Sequence, residues 1–308
     1  MYHRVTPQNE KWSIPATDLN IFEKQIKWLS KNFNIIKLSE LIQILQAGKI
    51  NDKKYQKAVA ITFDDGYKDN YLYAYPILKK YKIPATIFLA SGYIDTDNLF
   101  WWDLVGYIIY HTKKKKIDIP NFGEFSLIDN KEKFNCLFFL LKKIKKMPSN
   151  LKNNYIINLQ NICEIIVPTG LGKKMILSWS EIREMKDNGI TFGVHTVTHP
   201  NLTKISLAEA EKEIINSKKR IENQLKIEAT FFAYPYGSRL YYNNEIIKLI
   251  KNIGFKGAVT TNYGLVNKYN NDSIYSLPRI WVSNYYKRFK IEVSGIFSDF
   301  NFIFHYNR

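Results

Sequence analysis

Short apolar runs alternate along the chain with amphipathic stretches of helical period, which is the pattern of parallel βα units. The run 58–63 is apolar on both faces except at Thr62, as expected for a strand that is covered by helices. The pattern predicts strands at 34–38, 58–63, 84–90, 190–194, 229–233, 255–260 and 274–282. We therefore expect an α/β fold.

The intervening stretches carry helix signals. Thr17 is the expected N-cap of the first helix, and Ser178 with Glu181 and Ser206 with Glu209 have the spacing of capping boxes. The helix after Ser178 is expected to close near a glycine at position 189. The predicted helices cover 18–33, 39–46, 70–81, the stretches that follow the two capping boxes, and 244–253.

The βα rhythm breaks between about residues 97 and 177. An aromatic cluster, Phe100-Trp101-Trp102, is followed there by helical stretches rich in Lys, Asn and Ile. We interpret this region as a mainly helical insertion in a single domain that spans 1–308.

Composition agrees with a packed protein. Of the 308 residues, 45% are apolar and 24% are charged, which excludes disordered, collagen-like and disulfide-scaffold classes. Cys136 and Cys163 have no Cys or His beside them in the sequence, so we do not expect a thiolate metal site. We expect both residues to be buried free thiols.

The net charge and the N-terminal sequence indicate which binding partners and which cellular location to expect. The formal charge of +17 favours anionic partners, but the lysines are spread along the chain, and the densest run, 113–116, is expected to be a solvated loop. No nucleic acid is therefore expected, and peripheral contact with a membrane surface stays open. No apolar run reaches the roughly 18–20 residues of a membrane span. The opening MYHRVTPQNE lacks a signal-peptide pattern, which predicts a cytoplasmic protein, or one of the cell envelope if upstream residues are missing.

Two carboxylates follow the predicted strand 58–63. Asp64 and Asp65 lie where α/β folds build active sites, at the carboxyl end of a strand, and Gly66 lets the backbone turn beside them. Because successive side chains point in different directions, one carboxylate can hold a metal ion while the other faces a water molecule. An Asp-Asp-Gly turn without chemistry is the alternative.

Two histidines follow another predicted strand. His195 and His199, fixed by Pro200 to a short turn, can converge on one ion. With Asp65 they form a set of two imidazoles and one carboxylate that leaves positions open, as catalytic metal sites do. The same set binds iron(II) in oxygenases, but the sandwich of strands typical of those enzymes conflicts with the βα rhythm.

Three motifs now carry a family resemblance. TFDDGY (62–67), HTVTHP (195–200) and FAYPYG (232–237), in this order, resemble the first three motifs of the polysaccharide deacetylases, the NodB-homology enzymes of carbohydrate esterase family 4. The similarity extends to residues 2–4 and 277–279. It implies a distorted (β/α) barrel with one divalent metal ion, zinc being the expected one, that removes acetyl groups from N-acetylated sugars.

The resemblance implies roles for individual residues. Asp65, His195 and His199 would bind the metal, and Asp64 would be the general base. The backbone N–H of Tyr236 would hold the oxyanion.

Three further residues are expected to meet the substrate. Tyr236 and Pro235 would shape the acetyl pocket, and their Tyr-Pro-Tyr-Gly turn is compatible with that role. Trp102 is a candidate for stacking on a sugar ring, with a core position as the alternative.

The sequence departs from the family pattern at two places. Ala233 occupies the position of an arginine that often orients the base, and Arg279 is the expected replacement. The usual histidine near the C-terminus, which protonates the leaving amine, has no convincing match. His3 on the first strand is the preferred substitute, ahead of His305, because the first and last strands of a closed barrel are neighbours.

The substrate stays open at this stage. An N-acetylhexosamine polysaccharide or glycoconjugate, including a lipid-linked sugar, is expected. An O-acetyl carbohydrate esterase and a non-catalytic glycan-binding barrel are the alternatives. Glycan binding alone needs no general base beside a metal ion, so the presence of Asp64 argues against the non-catalytic barrel.

Overall fold

The structure, a computed structural model, describes residues 1–7, 12–49, 52–266 and 273–295. Within these ranges, the chain forms two compact units. The first comprises 1–7, 16–96 and 175–295, and the second comprises 12–15 and 97–174. The second unit thus takes up most of the stretch that was interpreted as an insertion, and the interpretation of 1–308 as a single domain stays a prediction.

The strands are short. They are β1 (Val5–Thr6), β2 (Thr17–Asp18), β3 (Asn34–Ile35), β4 (Ala58–Val59), β5 (Ile61–Phe63), β6 (Ala85–Leu89), β7 (Lys116–Ile119), β8 (Gly123–Ser126), β9 (Thr191–Val194), β10 (Phe231–Ala233) and β11 (Gly257–Val259).

The helices follow the amphipathic stretches. They are α1 (Leu19–Asn32), α2 (Leu38–Gln46), α3 (Tyr75–Lys80), α4 (Trp101–His111), α5 (Asn130–Ile144), α6 (Ser149–Cys163), α7 (Leu171–Met175), α8 (Trp179–Asp187), α9 (Leu207–Leu225), α10 (Asn244–Asn252) and α11 (Tyr286–Val293).

The first unit is built on a curled, parallel five-stranded sheet with the order β11-β10-β9-β6-β5. Each edge gains one bridging residue, since Tyr2 pairs in parallel with Phe63 of β5, and Leu277 pairs with Val259 of β11. The backbone nitrogen of Met1 donates to the carbonyl of Ile280 at 2.8 Å, which links the two edge segments. This arrangement confirms the predicted α/β fold class.

The sheet is packed on both faces. All residues of β5 and β6 are buried, and a cluster that includes Leu38, Ile42, Phe88 and Val259 fills the space between strands and helices. At Gly193 a Cβ would lie 2.5 Å from the ring of Phe88, so this position accepts only glycine without a shift of its neighbours. Such burial explains why the strands appeared in the sequence as apolar runs.

One predicted strand is wrong. The range 274–282 begins inside a 3₁₀ turn, Ser273–Tyr275, which is followed by the single bridging residue Leu277. Pro278 has no N–H to donate, so the ladder cannot continue through it. The apolar character of the range reflects burial at the sheet edge and not a full strand.

Two helix starts also differ from prediction. The side chain of Asp18, and not that of Thr17, caps α1 by accepting the N–H groups of Asn20 and Ile21 at 2.9 and 3.0 Å. The predicted helix 70–81 begins with a π-helical turn, Asn70–Ala74, before α3. Both capping boxes form as predicted, at the starts of α8 and α9.

The second unit is mainly helical and also contains an antiparallel hairpin, β7 and β8, that was not predicted. Lys116 and Asp118 are exposed while Ile117 and Ile119 are buried, the alternation of a half-buried strand. The lysine run 113–116, predicted to be a solvated loop, therefore ends in a strand at Lys116. Cys136 and Cys163 are buried free thiols, as expected.

Among the residues that the structure describes, no helix combines the length and the apolar character that a membrane span requires.

Candidate active site

The two aspartates leave β5 in different directions. The backbone N–H of Asp64 still donates to the carbonyl of Tyr2 at 3.1 Å, so Asp64 continues the edge of the sheet. Asp65 then adopts a left-handed backbone, with φ of 74°, and Gly66 follows at 81°. This turn separates the two side chains, both of which are buried.

The two histidines flank a tight loop after β9. His195 extends the strand, since its N–H donates to the carbonyl of Leu89 at 3.0 Å. The Nδ1 atom of His195 lies 2.7 Å from the carbonyl oxygen of Ala233. A carbonyl can only accept, so Nδ1 carries a proton, and in the neutral imidazole Nε2 then presents a lone pair. Such a partner on the far nitrogen is typical of metal-binding histidines.

Asp65, His195 and His199 converge. The Oδ1 atom of Asp65 lies 3.4 Å from Nε2 of His195 and 3.5 Å from Nε2 of His199. Their candidate ligand atoms all lie within 4.8 Å of one another, and all three residues are buried.

The electrostatics of this cluster call for a cation. Asp65 Oδ1 is buried and receives no hydrogen bond from any residue in the described ranges. A buried carboxylate oxygen that faces the lone pair of His195 Nε2 is costly unless a positive charge lies between them. The three residues therefore fit a divalent metal ion.

Asp64 pairs with Arg279. The guanidinium donates from Nη1 to Oδ1 at 2.8 Å and from Nη2 to Oδ2 at 2.6 Å, a bidentate geometry. Arg279 also donates to the carbonyl of Thr260 at 2.7 Å, which fixes its position. Burial alone would raise the pKa of Asp64, but the Arg279 guanidinium outweighs it and holds the pKa well below its usual range. Asp64 is therefore ionised at neutral pH.

Tyr236 lies beside the cluster. Its ring meets the ring of His199 edge-on, with centroids 4.7 Å apart. Its carbonyl accepts the Thr261 hydroxyl at 2.8 Å and the Ser238 N–H at 2.9 Å, so the peptide that follows Tyr236 is held firmly. Pro235, immediately before it, is buried.

His3 is partly buried next to the edge of β5. Its ring stacks on Trp281, with centroids 5.2 Å apart and an interplanar angle of 23°. Burial lowers the pKa of the His3 imidazole, while the charges of Asp65 and Asp64 act in the opposite direction. The structure therefore brings His3 into the electrostatic range of both carboxylates.

Trp281 is a site residue that the sequence analysis missed. It is 38% exposed, and its indole N–H donates to the carbonyl of Thr261 at 3.2 Å. The signal that could have found it is its place two residues after Arg279, on the segment that follows Leu277.

Two further candidates from the sequence are Trp102 and His305. Trp102 belongs to α4 in the second unit, where it is buried and stacks on Phe100 with centroids 4.6 Å apart. Its role in substrate binding stays a prediction. His305 lies outside the described residues.

The backbone around the site is strained at four positions that are not glycine. Asp65, Thr196, His199 and Tyr236 have φ angles of 74°, 66°, 56° and 59°. Left-handed backbone at such residues costs of order 1–3 kcal/mol each and clusters at functional sites. The strained positions thus lie in the turns that direct the side chains of the site.

Comparisons with known proteins agree with this geometry. The family model described as Polysaccharide deacetylase matches residues 51–114 and 127–258. A poly-beta-1,6-N-acetyl-D-glucosamine N-deacetylase of Staphylococcus aureus (strain MSSA476) is 28% identical over 267 residues, which are 85% of this chain and 66% of that protein. YxkH of Bacillus subtilis (strain 168), whose name also includes polysaccharide deacetylase, is 25% identical over 92% of this chain and 70% of its own length. The chain thus spans roughly two thirds of these relatives.

Solved structures share the fold. The Streptococcus pyogenes deacetylase PplD in complex with acetate has a TM-score of 0.60 at 22% identity, covering 92% of this chain and 91% of that one. IcaB from Ammonifex degensii has a TM-score of 0.60 at 18% identity, covering 95% and 94%. At these identities the likeness concerns the fold alone.

Proposed function

The chain belongs to the polysaccharide deacetylase family, and from this membership we propose that it is a metal-dependent hydrolase that removes N-acetyl groups from a glycan containing N-acetylhexosamine. One observation carries the proposal. The buried, unsatisfied Oδ1 of Asp65 faces the Nε2 atoms of His195 and His199, and the ionised Asp64 is the next residue in the chain.

We propose zinc as the ion, because two imidazoles and one carboxylate with open positions form a common catalytic zinc set. Held by Asp65, His195 and His199, such an ion would polarise the amide carbonyl and make water nucleophilic near neutral pH.

In this proposal Asp64 takes the proton of the attacking water. The bidentate pair with Arg279 fixes the direction of the carboxylate and keeps it ionised, so it can accept a proton but cannot supply one beforehand. Arg279 thereby acts in place of the arginine that is absent at position 233.

Tyr236 is proposed to hold the oxyanion through its backbone N–H. Support comes from the left-handed turn at Tyr236, whose ring lies against His199, and from the two hydrogen bonds that hold the peptide immediately after it. The Tyr236 ring and Pro235 would form the wall of the acetyl pocket.

His3 is proposed to protonate the leaving amine. A lowered pKa makes the protonated imidazole a stronger acid toward that nitrogen. The stacked, half-exposed Trp281 holds the ring in place and offers an aromatic face to a sugar.

The His3→Ala variant is expected to lower turnover by about 10²–10⁴-fold, the usual contribution of a general acid. Its metal content should stay that of the wild type, since His3 is not part of the Asp65 cluster. Acetate release and metal analysis of the same sample check both statements. His111→Ala, an exposed histidine of the second unit, is the matched control and should leave turnover unchanged. Wild-type turnover in His3→Ala would contradict the assignment.

The names of the relatives support a proposal for the substrate class. One of them is named for the deacetylation of poly-β-1,6-N-acetyl-D-glucosamine. We therefore propose an N-acetylhexosamine polymer or a lipid-linked N-acetyl sugar as the substrate of this chain. O-acetyl ester hydrolysis is the second candidate, because an ester carbonyl fits the same polarising arrangement.

An acetate-release screen tests the function. The metal-loaded protein is incubated with N-acetylated and O-acetylated glycans, before and after treatment with a chelator. We expect acetate from an N-acetylated glycan, its loss with the chelator and its return when zinc is added. Acetate from esters alone would favour the second candidate. Salt-sensitive glycan or nucleic-acid binding without any acetate would contradict the hydrolase.

A further inference from the structure

The two candidate histidine ligands are joined by a three-residue loop, Thr196 to Thr198. The loop reverses tightly, with left-handed backbone at Thr196 and at His199. The Thr196 hydroxyl donates to the carbonyl of His195 at 2.5 Å and accepts the N–H of His199 at 3.1 Å. The direction of both imidazoles therefore depends on how this loop is held.

One side of the loop is held by the segment after β6. The N–H groups of Ser91 and Gly92 donate to the carbonyls of Thr196 and Val197 at 3.1 and 2.9 Å. The Tyr93 hydroxyl donates to the carbonyl of Thr198 at 3.2 Å. These contacts satisfy the carbonyl groups of the loop and leave its N–H groups pointing the other way.

The other side is held by one carboxylate, Glu213 of α9. Its Oε2 atom accepts the N–H groups of Val197 and Thr198, both at 2.8 Å. Its Oε1 atom accepts the Thr198 hydroxyl, also at 2.8 Å. Both oxygens of one side chain are thus used on two consecutive residues.

The helix that carries Glu213 is firmly placed. Its inner stripe, Ala210, Ile214, Ser217, Ile221 and Leu225, is buried, and its first turn is closed by the capping box at Ser206. Glu213 precedes one of these buried residues, so its backbone cannot move without unpacking the helix. Hydrogen bonds to a carboxylate are about twice as strong as neutral ones, which makes this contact stiff.

We propose that Glu213 is a positioning residue that sets the direction of His195 and His199 toward Asp65. The inference rests on the proposed function, because it assumes that the three residues share an ion. Glu213 does not touch the cluster; it acts through the loop. Residues that orient metal ligands in this indirect way typically contribute 10–100-fold in metal affinity.

The test is a pair of substitutions with a matched control. Glu213→Ala should weaken the binding of Zn²⁺ and Co²⁺ by about 10–100-fold, measured by competition with a chelator. Glu213→Gln should weaken it less, because the amide oxygen can accept both N–H groups while the charge is lost. Glu211→Gln, two residues away on the same helix and exposed, should bind as the wild type does.

A second readout separates positioning from general stability. The visible absorption of the Co²⁺-loaded protein reports ligand geometry, and we expect it to change shape in Glu213→Ala. Amide hydrogen exchange at Val197 and Thr198 should become faster in the same variant. A purely structural role would lower the unfolding temperature and leave the Co²⁺ spectrum as it is.

The outcomes are distinct. Wild-type affinity and an unchanged Co²⁺ spectrum in folded Glu213→Ala would overturn the proposal, as would a wild-type protein that binds neither ion. If Glu213→Ala does not fold, the metal affinity of Glu213→Gln is the deciding measurement. Wild-type affinity of Glu213→Gln would then overturn the proposal. A wild-type protein that binds the ions but releases no acetate contradicts the proposed function alone, because the readouts here are affinity and spectrum.

Discussion

The Asp64→Asn variant is expected to lose acetate release by about 10²–10⁴-fold, the usual contribution of a general base, while it still binds one divalent ion. The amide cannot accept the proton of the attacking water. Asp64 is engaged with Arg279 and lies outside the Asp65–His195–His199 cluster, so the ligands themselves are unchanged. Acetate release and metal content of the same preparation measure the two effects.

The control for this variant is another buried pair in the same unit. Asp69 accepts the Arg4 guanidinium at 2.7 Å, and both residues are buried. Removing one partner of a buried pair costs about 3–5 kcal/mol, so Asp64→Asn and Asp69→Asn should lose similar stability in chemical unfolding. Only the first should lose turnover by orders of magnitude. Turnover of Asp64→Asn within tenfold of the wild type would show that Asp64 is not the base.

The Asp65→Asn variant should lose metal affinity by more than about 100-fold, the upper figure for residues that merely orient ligands. At the same time, the metal-free protein should become more stable, by about 1–3 kcal/mol. The reason is the unsatisfied Oδ1 between two imidazoles, because an amide nitrogen there can donate to the Nε2 lone pairs. Asparagine tolerates the left-handed backbone at this position.

Thermal unfolding in the absence and in the presence of zinc checks both the lower metal affinity and the higher stability of the metal-free variant. Thermal unfolding with and without zinc should show a higher midpoint for metal-free Asp65→Asn than for the metal-free wild type, and no further rise with zinc. Asp95→Asn is the matched control, since Asp95 also has left-handed backbone, with φ of 58°, and lies outside the cluster. A zinc-dependent rise in Asp65→Asn equal to that of the wild type would remove Asp65 from the ligand set.

Much of the site was visible in the sequence because its signals are local. Asp64 and Asp65 directly follow an apolar strand, and His195 and His199 follow another, so the rule that parallel strands end at one edge predicts their meeting. The structure brings Asp65, His195 and His199 together as expected. The roles assigned to these residues stay predictions.

The contact between Asp64 and Arg279 could be expected only as a hypothesis. The two residues are 215 positions apart, and their contact depends on how far the sheet curls. No local pattern encodes that curvature, and the family resemblance indicated only that an arginine was missing at 233. The stack of Trp281 on His3 and the contact of Glu213 with Val197 were missed for the same reason, since each joins distant segments.

The strands, too, differ in how well the sequence predicts them. Strands β5, β6 and β9 are buried on both faces and appear as apolar runs, which the sequence displays clearly. The edge segment around Leu277 is equally apolar, yet Pro278 limits it to a single bridge. The hydrophobic pattern of the sequence thus predicts which segments are buried. It does not predict whether a buried segment forms the backbone hydrogen bonds of a strand.

The pairing of Asp64 with Arg279 has a consequence for biosynthesis. A ribosome releases residues 64, 65, 195 and 199 well before residue 279, so the carboxylate of Asp64 in a nascent chain lacks its guanidinium until the last part of the first unit has emerged. The proposed site is thus completed last, by the segment that pairs with the sheet edge at Leu277. A translation product that ends before residue 277 would contain Asp65, His195 and His199 but not the partner of Asp64.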